Sequence, residues 1–171
     1  MKTYRNLYEQ LCQFEHLLEA YHKARRGKRR RTDVAAFEFC SEEHLVNLAF
    51  ALREQRYRPG PYRNFRVVEH GKQRRISAAP FRDRVVHHAL CMVIEPIWER
   101  RFIHDSYASR PEKGTHAALD RAQHFARGHS YVLQLDVQQF FPSIDHAILR
   151  GLLAHHIADE RMLWLIDRVL A

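Results

Sequence analysis

The segment from Tyr131 to Phe141 constrains the fold of this chain more than any other stretch. Five mostly apolar residues beginning at Tyr131 lead directly into Asp136, and Phe140 and Phe141 follow four and five residues later. A short apolar run of this kind predicts a buried β-strand. A carboxylate at the end of a buried strand is costly unless a cation or a metal ion neutralises it. The segment therefore predicts a strand whose C-terminal acid, Asp136, is neutralised by a cation or a metal ion.

The residues that follow Asp136 decide between a functional acid and an ordinary turn or helix-cap residue. Phe140 and Phe141 make the loop too apolar for a solvated turn, and Pro142 is typical of a helix start. A tight turn here would direct backbone N–H groups outward, where they would hold phosphates. Asp145 is better explained as a helix-entry residue, because a negative charge is favourable at a helix N-terminus.

Composition limits the partners of the chain. Its 171 residues are 46% hydrophobic and carry a formal net charge of +8, which predicts a folded domain and argues against disorder. The charge predicts a polyanionic partner, first nucleic acid and second an anionic membrane surface. Three widely spaced cysteines without a Cys-x-x-Cys pair indicate a reducing compartment. Without a long apolar run or a signal peptide, we expect a cytoplasmic protein that does not span a membrane.

The order of predicted elements indicates an α+β fold. Hydrophobic periodicity and turn residues predict helices, a hairpin and one strand. They are a helix over about 4–26, a helix capped by Ser41, a hairpin of 65–69 and 73–77, a helix after Pro80 that ends or kinks at Pro96, a helix beginning at Thr115, the strand ending at Asp136, and helices over about 145–156 and 159–170. We divide the chain into a helical basic region (1–56), a hairpin segment (57–80) and a remainder (81–171).

Two groups of cations are candidates for binding a polyanion. The hairpin group is Arg66, Lys72, Arg74 and Arg75, which strand alternation distributes over both faces. Arg82 and Arg84 would extend this positive strip. Charged strands also discourage sheet-to-sheet aggregation, so the hairpin alone leaves both interpretations open.

The second group is a basic run near the N-terminus. It consists of Arg25, Arg26, Lys28, Arg29, Arg30 and Arg31. Such a run is either a solvated segment or a phosphate-binding segment that adds affinity without reading sequence. The overall charge favours the second interpretation.

Several enzyme and metal-site classes lack their signatures. The 13 histidines include no His-Glu-x-x-His motif and no His/Cys cluster at zinc spacing. The sequence contains no Gly-x-Ser-x-Gly elbow, P-loop or dinucleotide-binding fingerprint. Hydrolase and nucleotide-loop classes are therefore excluded, and the histidines are better explained as surface or core-edge residues than as zinc ligands.

Four sequence blocks from residue 57 onward resemble bacterial-type reverse transcriptases, the group that includes group II intron, retron and diversity-generating retroelement enzymes. In chain order the blocks are Arg74–Leu90, Ile94–Phe102, Ser106–Leu119 and Leu135–Asp145. The resemblance implies a truncated right-hand polymerase, with a fingers hairpin, helices and the first part of the palm. It implies RNA template, DNA primer and deoxynucleoside triphosphates as partners, and Mg²⁺ as the cofactor of the complete enzyme.

The same resemblance implies roles for individual residues. Asp136 would be the catalytic acid that binds both magnesium ions, helped by the carbonyl of Val137. Phe141 would be the steric gate that favours deoxynucleotides. The remaining implied contacts fall into two sets. The triphosphate set is Lys72, Arg74, Arg75, Gln139 and Phe140, and the template or primer set is Arg110 and Lys113.

The sequence departs from that family in one respect. It contains no Asp-Asp pair, and the primer grip and thumb are not recognisable. With one acid the two-metal site cannot form, so we expect this chain alone to be inactive. A second chain or a further C-terminal segment would complete the palm, as in a truncated product, a fragment or a split enzyme. The alternative is a non-catalytic RNA-binding module with a reverse-transcriptase-like fold.

Overall fold

The computed structural model describes residues 3–69 and 71–171, and of Lys72 the backbone alone. Apart from one short 3-10 helix, Phe141–Ser143, regular structure in these residues consists of eight α-helices and two β-strands. They are α1 (Leu7–Leu11), α2 (Phe14–Arg25), α3 (Thr32–Phe39), α4 (Ser41–Arg53), β1 (Arg63–Glu69), β2 (Lys72–Ala78), α5 (Phe81–Glu99), α6 (Thr115–Ala126), α7 (His146–Ala154) and α8 (Glu160–Leu170). The predicted α+β class is confirmed at this level. None of these helices is long and apolar enough to cross a membrane.

The chain divides into two units. Unit 1 runs to Val93 and resumes at His146, so it is built from both ends of the chain, and unit 2 is Ile94–Asp145. The division of the sequence into 1–56, 57–80 and 81–171 follows sequence features and stays a prediction.

The hydrophobic core of unit 1 is formed by one face of each long helix. Helices α2, α4, α5 and α8 each repeat apolar residues at spacings of three and four, which places these residues on one face. The buried residues are Leu17, Ala20, Tyr21 and Ala24 in α2, Leu45, Leu48, Ala49 and Leu52 in α4, Val85, Val86, Ala89 and Leu90 in α5, and Met162, Leu165 and Ile166 in α8. In unit 2, by contrast, Ile97 is the one buried apolar residue among those described.

The N-terminal helices differ from the prediction. The single helix expected over about 4–26 is two helices, α1 and α2, which are separated by Cys12 and Gln13. Helix α3 was not expected. Ser41 is the first residue of α4 rather than its cap, and Cys40 occupies the N-cap position without a side-chain capping bond.

Asp159 caps two helices at once. Its Oδ1 accepts from the N–H of Met162 in α8 at 3.1 Å. Its Oδ2 accepts from the N–H groups of Leu7 and Tyr8 in α1 at 2.7 and 2.9 Å. A helix leaves its first N–H groups without internal partners, and a carboxylate satisfies them while stabilising the helix dipole. The side chain thereby joins the first and last helices of unit 1.

The hairpin and the helix after it agree largely with expectation. Strands β1 and β2 pair antiparallel, and the turn contains Gly71 with φ at +75°, a conformation that glycine adopts without strain. Helix α5 continues through Pro96 to Glu99, so it does not end near Glu95 as one prediction had it. Helices α7 and α8 confirm the two short C-terminal helices.

The strand predicted to end at Asp136 is absent, and this prediction was wrong for the structure described. Residues 131–137 have no strand hydrogen bonding, and Tyr131 is 92% and Leu135 81% exposed. A strand exists only where a neighbour pairs with its N–H and C=O groups. Among the described residues the one sheet consists of β1 and β2, each already paired with the other. The segment therefore has strand-forming residues without a strand partner.

Candidate nucleic-acid interface

The hairpin presents cations on both of its faces. Arg66 lies directly opposite Arg75, whereas Val67 lies opposite Arg74. Arg74 pairs with Glu69 at 2.8 Å. The expectation that Arg74 and Arg75 occupy opposite faces is confirmed by this register. Lys72, proposed from sequence as a triphosphate contact, has its side chain outside the described part of the structure.

Half of the basic run is paired with carboxylates inside unit 1. Arg25 and Arg29 both donate to Oε1 of Glu38 at 2.5 Å. These bonds hold the pKa of the Glu38 carboxyl below its usual range, and the hydrogen bond to Glu38 raises the pKa of Arg29. Arg31 lies 3.3 Å from Asp33. Helix α3 is what brings these two acids back onto the run.

The other half of the run is open to solvent. Arg26, Lys28 and Arg30 are exposed in the turns between α2 and α3, and no ion pair within the described residues involves them. Exposed, uncompensated cations are the ones that release counterions when they meet phosphates. These three are therefore the members of the run best placed to bind a polyanion.

Arg82 and Arg84 do not extend the positive strip, which corrects the expectation from sequence. Arg82 donates to Oδ1 of Asp83 at 3.0 Å and to the carbonyl of Arg58 at 2.7 Å. Arg84 is mostly buried and pairs with Asp33. Burial acts to raise the pKa of Asp33, but the charges of Arg84 and Arg31 outweigh it and lower that pKa.

Asp83 organises the base of the hairpin, a role that sequence reasoning missed. Its side chain is 1% exposed and accepts from the hydroxyl of Tyr57 at 3.0 Å and from the N–H of Gly60 at 2.7 Å. A Cβ on Gly60 would lie 3.0 Å from Cγ of Pro80 and 3.4 Å from Oδ2 of Asp83, so a larger residue would have to displace these side chains slightly. The signal in the sequence was an acid between two arginines, three residues after a proline.

In unit 2, Asp136 lies on an exposed segment that ends in a tight turn. Gln139 has φ at +52°, and the N–H of Ser143 donates to its carbonyl at 3.0 Å. The rings of Phe140 and Phe141 meet edge to face with centroids 5.3 Å apart, and Phe141 is 81% exposed. A turn is therefore present after Asp136, but it is exposed, so the expectation that Phe140 and Phe141 keep this loop from being a solvated turn was wrong. The nucleotide contacts assigned to its residues stay predictions.

The described residues do not by themselves fit a two-magnesium site. Asp136 and the carbonyl of Val137 supply oxygen ligands of the kind that Mg²⁺ prefers. No group of three or more His, Cys, Asp or Glu side chains in the described parts of the chain is arranged to hold a metal ion. One carboxylate does not hold two divalent ions in the geometry that phosphoryl transfer needs.

Arg110 and Lys113 are engaged within unit 2. Arg110 is 9% exposed in its side chain and donates to both carboxylate oxygens of Glu99 at 2.6 to 3.1 Å. It also donates to the backbone carbonyls of Ile103 and Ser106. The hydrogen bond from Arg110 lowers the pKa of Glu99. Lys113 donates to the carbonyl of His104 at 3.0 Å. This geometry gives both residues a structural role and leaves their predicted template contact without support.

Comparison with known proteins places these features in a family context. No family model matches the chain. The group II intron-encoded protein LtrA of Lactococcus lactis is 29% identical over 132 residues, which are 76% of this chain and 22% of that protein. Protein YkfC of Escherichia coli is 32% identical over 117 residues, covering 64% of this chain and 30% of that protein. Nuclear intron maturase 1 of Arabidopsis thaliana is 33% identical over 100 residues, covering 57% and 14%.

The chain thus spans less than a third of the length of each of these relatives. The matches confirm the resemblance on which the four sequence blocks agree, and they fall on group II intron and maturase proteins, whereas the sequence had left the class of retroelement open. The chain is similar in sequence to a group II intron-encoded protein and to an intron maturase over more than half of its own length.

Proposed function

We propose that this chain is the fingers and first palm portion of a reverse transcriptase of the group II intron type, and that its 171 residues bind RNA without catalysing nucleotide transfer by themselves. The observation that carries the proposal is the sequence relationship to an intron-encoded protein and to intron maturases. Their names connect these relatives with intron RNA. The net charge of +8 and the exposed cations of the basic run supply the electrostatic means of binding RNA.

In the complete enzyme, Asp136 would supply one metal ligand and Phe141 would lie against the sugar of the incoming nucleotide. RNA would be the template, a DNA strand the primer, and deoxynucleoside triphosphates the substrates. Because one acid does not complete the metal site, we assign no catalytic step to these residues alone.

RNA binding by the isolated chain is expected to weaken steeply with salt. Each phosphate contact on a single strand contributes a slope of about 0.7 to the dependence of log affinity on log salt, so the triple variant R26Q/K28Q/R30Q should reduce the slope by about 2. Fluorescence anisotropy with a labelled single-stranded RNA at several salt concentrations measures both quantities.

The matched control for that experiment is R100Q/R101Q/R127Q, which removes three exposed cations of unit 2 and changes the net charge equally. We expect it to leave the slope close to that of the wild type. Binding that does not respond to salt would contradict the RNA-binding proposal. Equal effects of the two triple variants would show that overall charge, and not the basic run, determines affinity.

Primer extension by the 171-residue chain is expected to be absent. A primed RNA template, deoxynucleoside triphosphates and Mg²⁺ should give no lengthened DNA on a sequencing gel, because Asp136 lacks companion acids in the described residues. A known reverse transcriptase in parallel reactions shows that the template is competent. Extension that disappears in Asp136→Asn would show instead that the chain assembles a complete metal site.

A non-catalytic RNA-binding module is the second candidate function, and the exposed position of Asp136 favours it. The gene sequence downstream of the Ala171 codon separates the two candidates. An aromatic residue, any residue and then two aspartates, encoded in any frame there, would support the polymerase. Lack of such a motif there would favour the binding module.

A further inference from the structure

The two faces of the hairpin differ in burial and in the pairing of their charges. Directly opposite residues of an antiparallel pair share a face. One face, here called the outer face, consists of Asn64, Arg66, Val68, Gln73, Arg75 and Ser77. All six of these residues are exposed. On the other face Val67, Ile76 and Ala78 are partly covered, while Arg63, Phe65, Glu69 and Arg74 are exposed. The outer face is therefore the more exposed of the two.

The outer face carries two positive charges and no acid. Arg66 and Arg75 lie directly opposite each other, so their Cβ atoms are about 5 Å apart, and like charges in that position destabilise a strand pair. The other face differs, because Arg74 there is paired with Glu69. No ion pair within the described residues involves Arg66 or Arg75. The repulsion between them is left without internal compensation.

Protection of the strand edges does not explain this arrangement. Both strands of a two-stranded sheet are edges, and charges on them discourage pairing with other molecules. An Arg opposite a Glu would protect the edges equally well and would stabilise the hairpin. An external anion that lies between or beside the two arginines would offset the repulsion between their guanidinium groups. Each guanidinium offers a planar set of donors that matches the oxygens of a phosphate.

We propose that Arg66 and Arg75 form a clamp for the phosphodiester backbone of a single RNA strand lying along the outer face. This inference rests on the proposed function and specifies which hairpin cations serve it. It assigns Arg75 to RNA and not to the nucleotide triphosphate, and it separates Arg75 from its neighbour Arg74. Gln73 lies opposite Val68 on the same exposed face. Its side-chain amide supplies a neutral hydrogen-bonding group there.

Charge reversal tests the clamp, because it moves RNA affinity and hairpin stability in opposite directions. R66E or R75E places an acid opposite an arginine, so hydrogen exchange of the β1 and β2 amides should slow. RNA affinity should fall about tenfold in each single variant and about a hundredfold in R66E/R75E. In the double variant two acids face each other, so amide exchange should return to about the wild-type rate.

The matched control is Arg74→Glu, which changes the net charge by the same amount on the opposite face. Because it places two acids near each other, Glu69 and the new side chain, amide exchange should accelerate while RNA affinity changes much less than in R75E. Affinities that fall equally in both variants would overturn the clamp and leave only a net-charge effect. So would RNA affinity that stays at the wild-type value in R66E/R75E.

Two further outcomes distinguish the clamp from its alternatives. If a labelled deoxynucleoside triphosphate binds the wild-type chain and loses affinity in R75E while RNA binding is unchanged, the pair belongs to the nucleotide and the clamp is refuted. If the wild-type chain fails to bind RNA at low salt, the proposed function fails together with the clamp. Wild-type binding with unaffected variants refutes the clamp alone.

Discussion

Asp83→Ala is expected to lower the free energy of unfolding by about 3 kcal/mol, the amount typical of removing one partner from a buried charged network. The variant leaves the hydroxyl of Tyr57, which is itself buried, and the N–H of Gly60 without their acceptor. Burial, together with the charge of Asp83, raises the pKa of Tyr57, so the phenol stays a hydrogen-bond donor throughout the ordinary pH range. Urea denaturation followed by circular dichroism measures the loss.

Tyr57→Phe provides the control for that prediction. It removes one donor and leaves the carboxylate of Asp83 bonded to Gly60 and Arg82, so it should cost about 1 kcal/mol. When Tyr57→Phe is already present, Asp83→Ala should cost less than it does alone, because no buried hydroxyl is then left unsatisfied. Additive costs would contradict the network. A loss below about 1 kcal/mol for Asp83→Ala would show that Asp83 does not hold the base of the hairpin.

Asp159→Ala is expected to cost about 2 to 3 kcal/mol, because one carboxylate serves two helix N-termini. Loss of the bond to Met162 removes an ordinary N-cap from α8. Loss of the bonds to Leu7 and Tyr8 leaves α1 without a cap, since Asn6 before it makes no side-chain capping bond. Thermal and urea unfolding of the purified chain measure the change.

Asp159→Asn separates the two contributions. Asparagine is as good an N-cap as aspartate, but it has one acceptor oxygen in place of two. It should therefore retain the cap of one helix and lose the other, for about half the cost of the alanine variant. Equal costs for the asparagine and alanine variants would mean that charge, and not the number of acceptors, stabilises these termini. A cost near zero for both would contradict the double cap.

Local sequence patterns predicted the elements that depend on local chemistry. The hairpin followed from alternating residues around Gly71, and α7 and α8 followed from helical periodicity with a stop between them. Helix α3 escaped prediction because it follows a run of cations and packs through only Val34 and Phe37. Its formation depends on tertiary packing more than on a visible pattern.

The prediction of a strand before Asp136 was wrong for the opposite reason. Its residues have high strand propensity, but propensity does not supply the neighbouring strand. The pairing of the basic run was equally invisible, because Glu38 meets Arg25 and Arg29 only after α3 has folded back. Sequence named the cations, and their role in binding stays a prediction. The structure then showed which of them have carboxylate partners and which remain open.

Because unit 1 is assembled from both ends of the chain, its folding during synthesis is delayed. When Val93 leaves the ribosome, the residues of α8 that complete the core have not yet been made, and neither has Asp159. Roughly 70 further residues are needed, which takes about 4 to 14 seconds at bacterial rates of translation. For that interval the nascent segment would expose apolar faces of α2, α4 and α5 together with its cations. A chaperone or the ribosomal RNA itself would be the first surface those faces and charges meet.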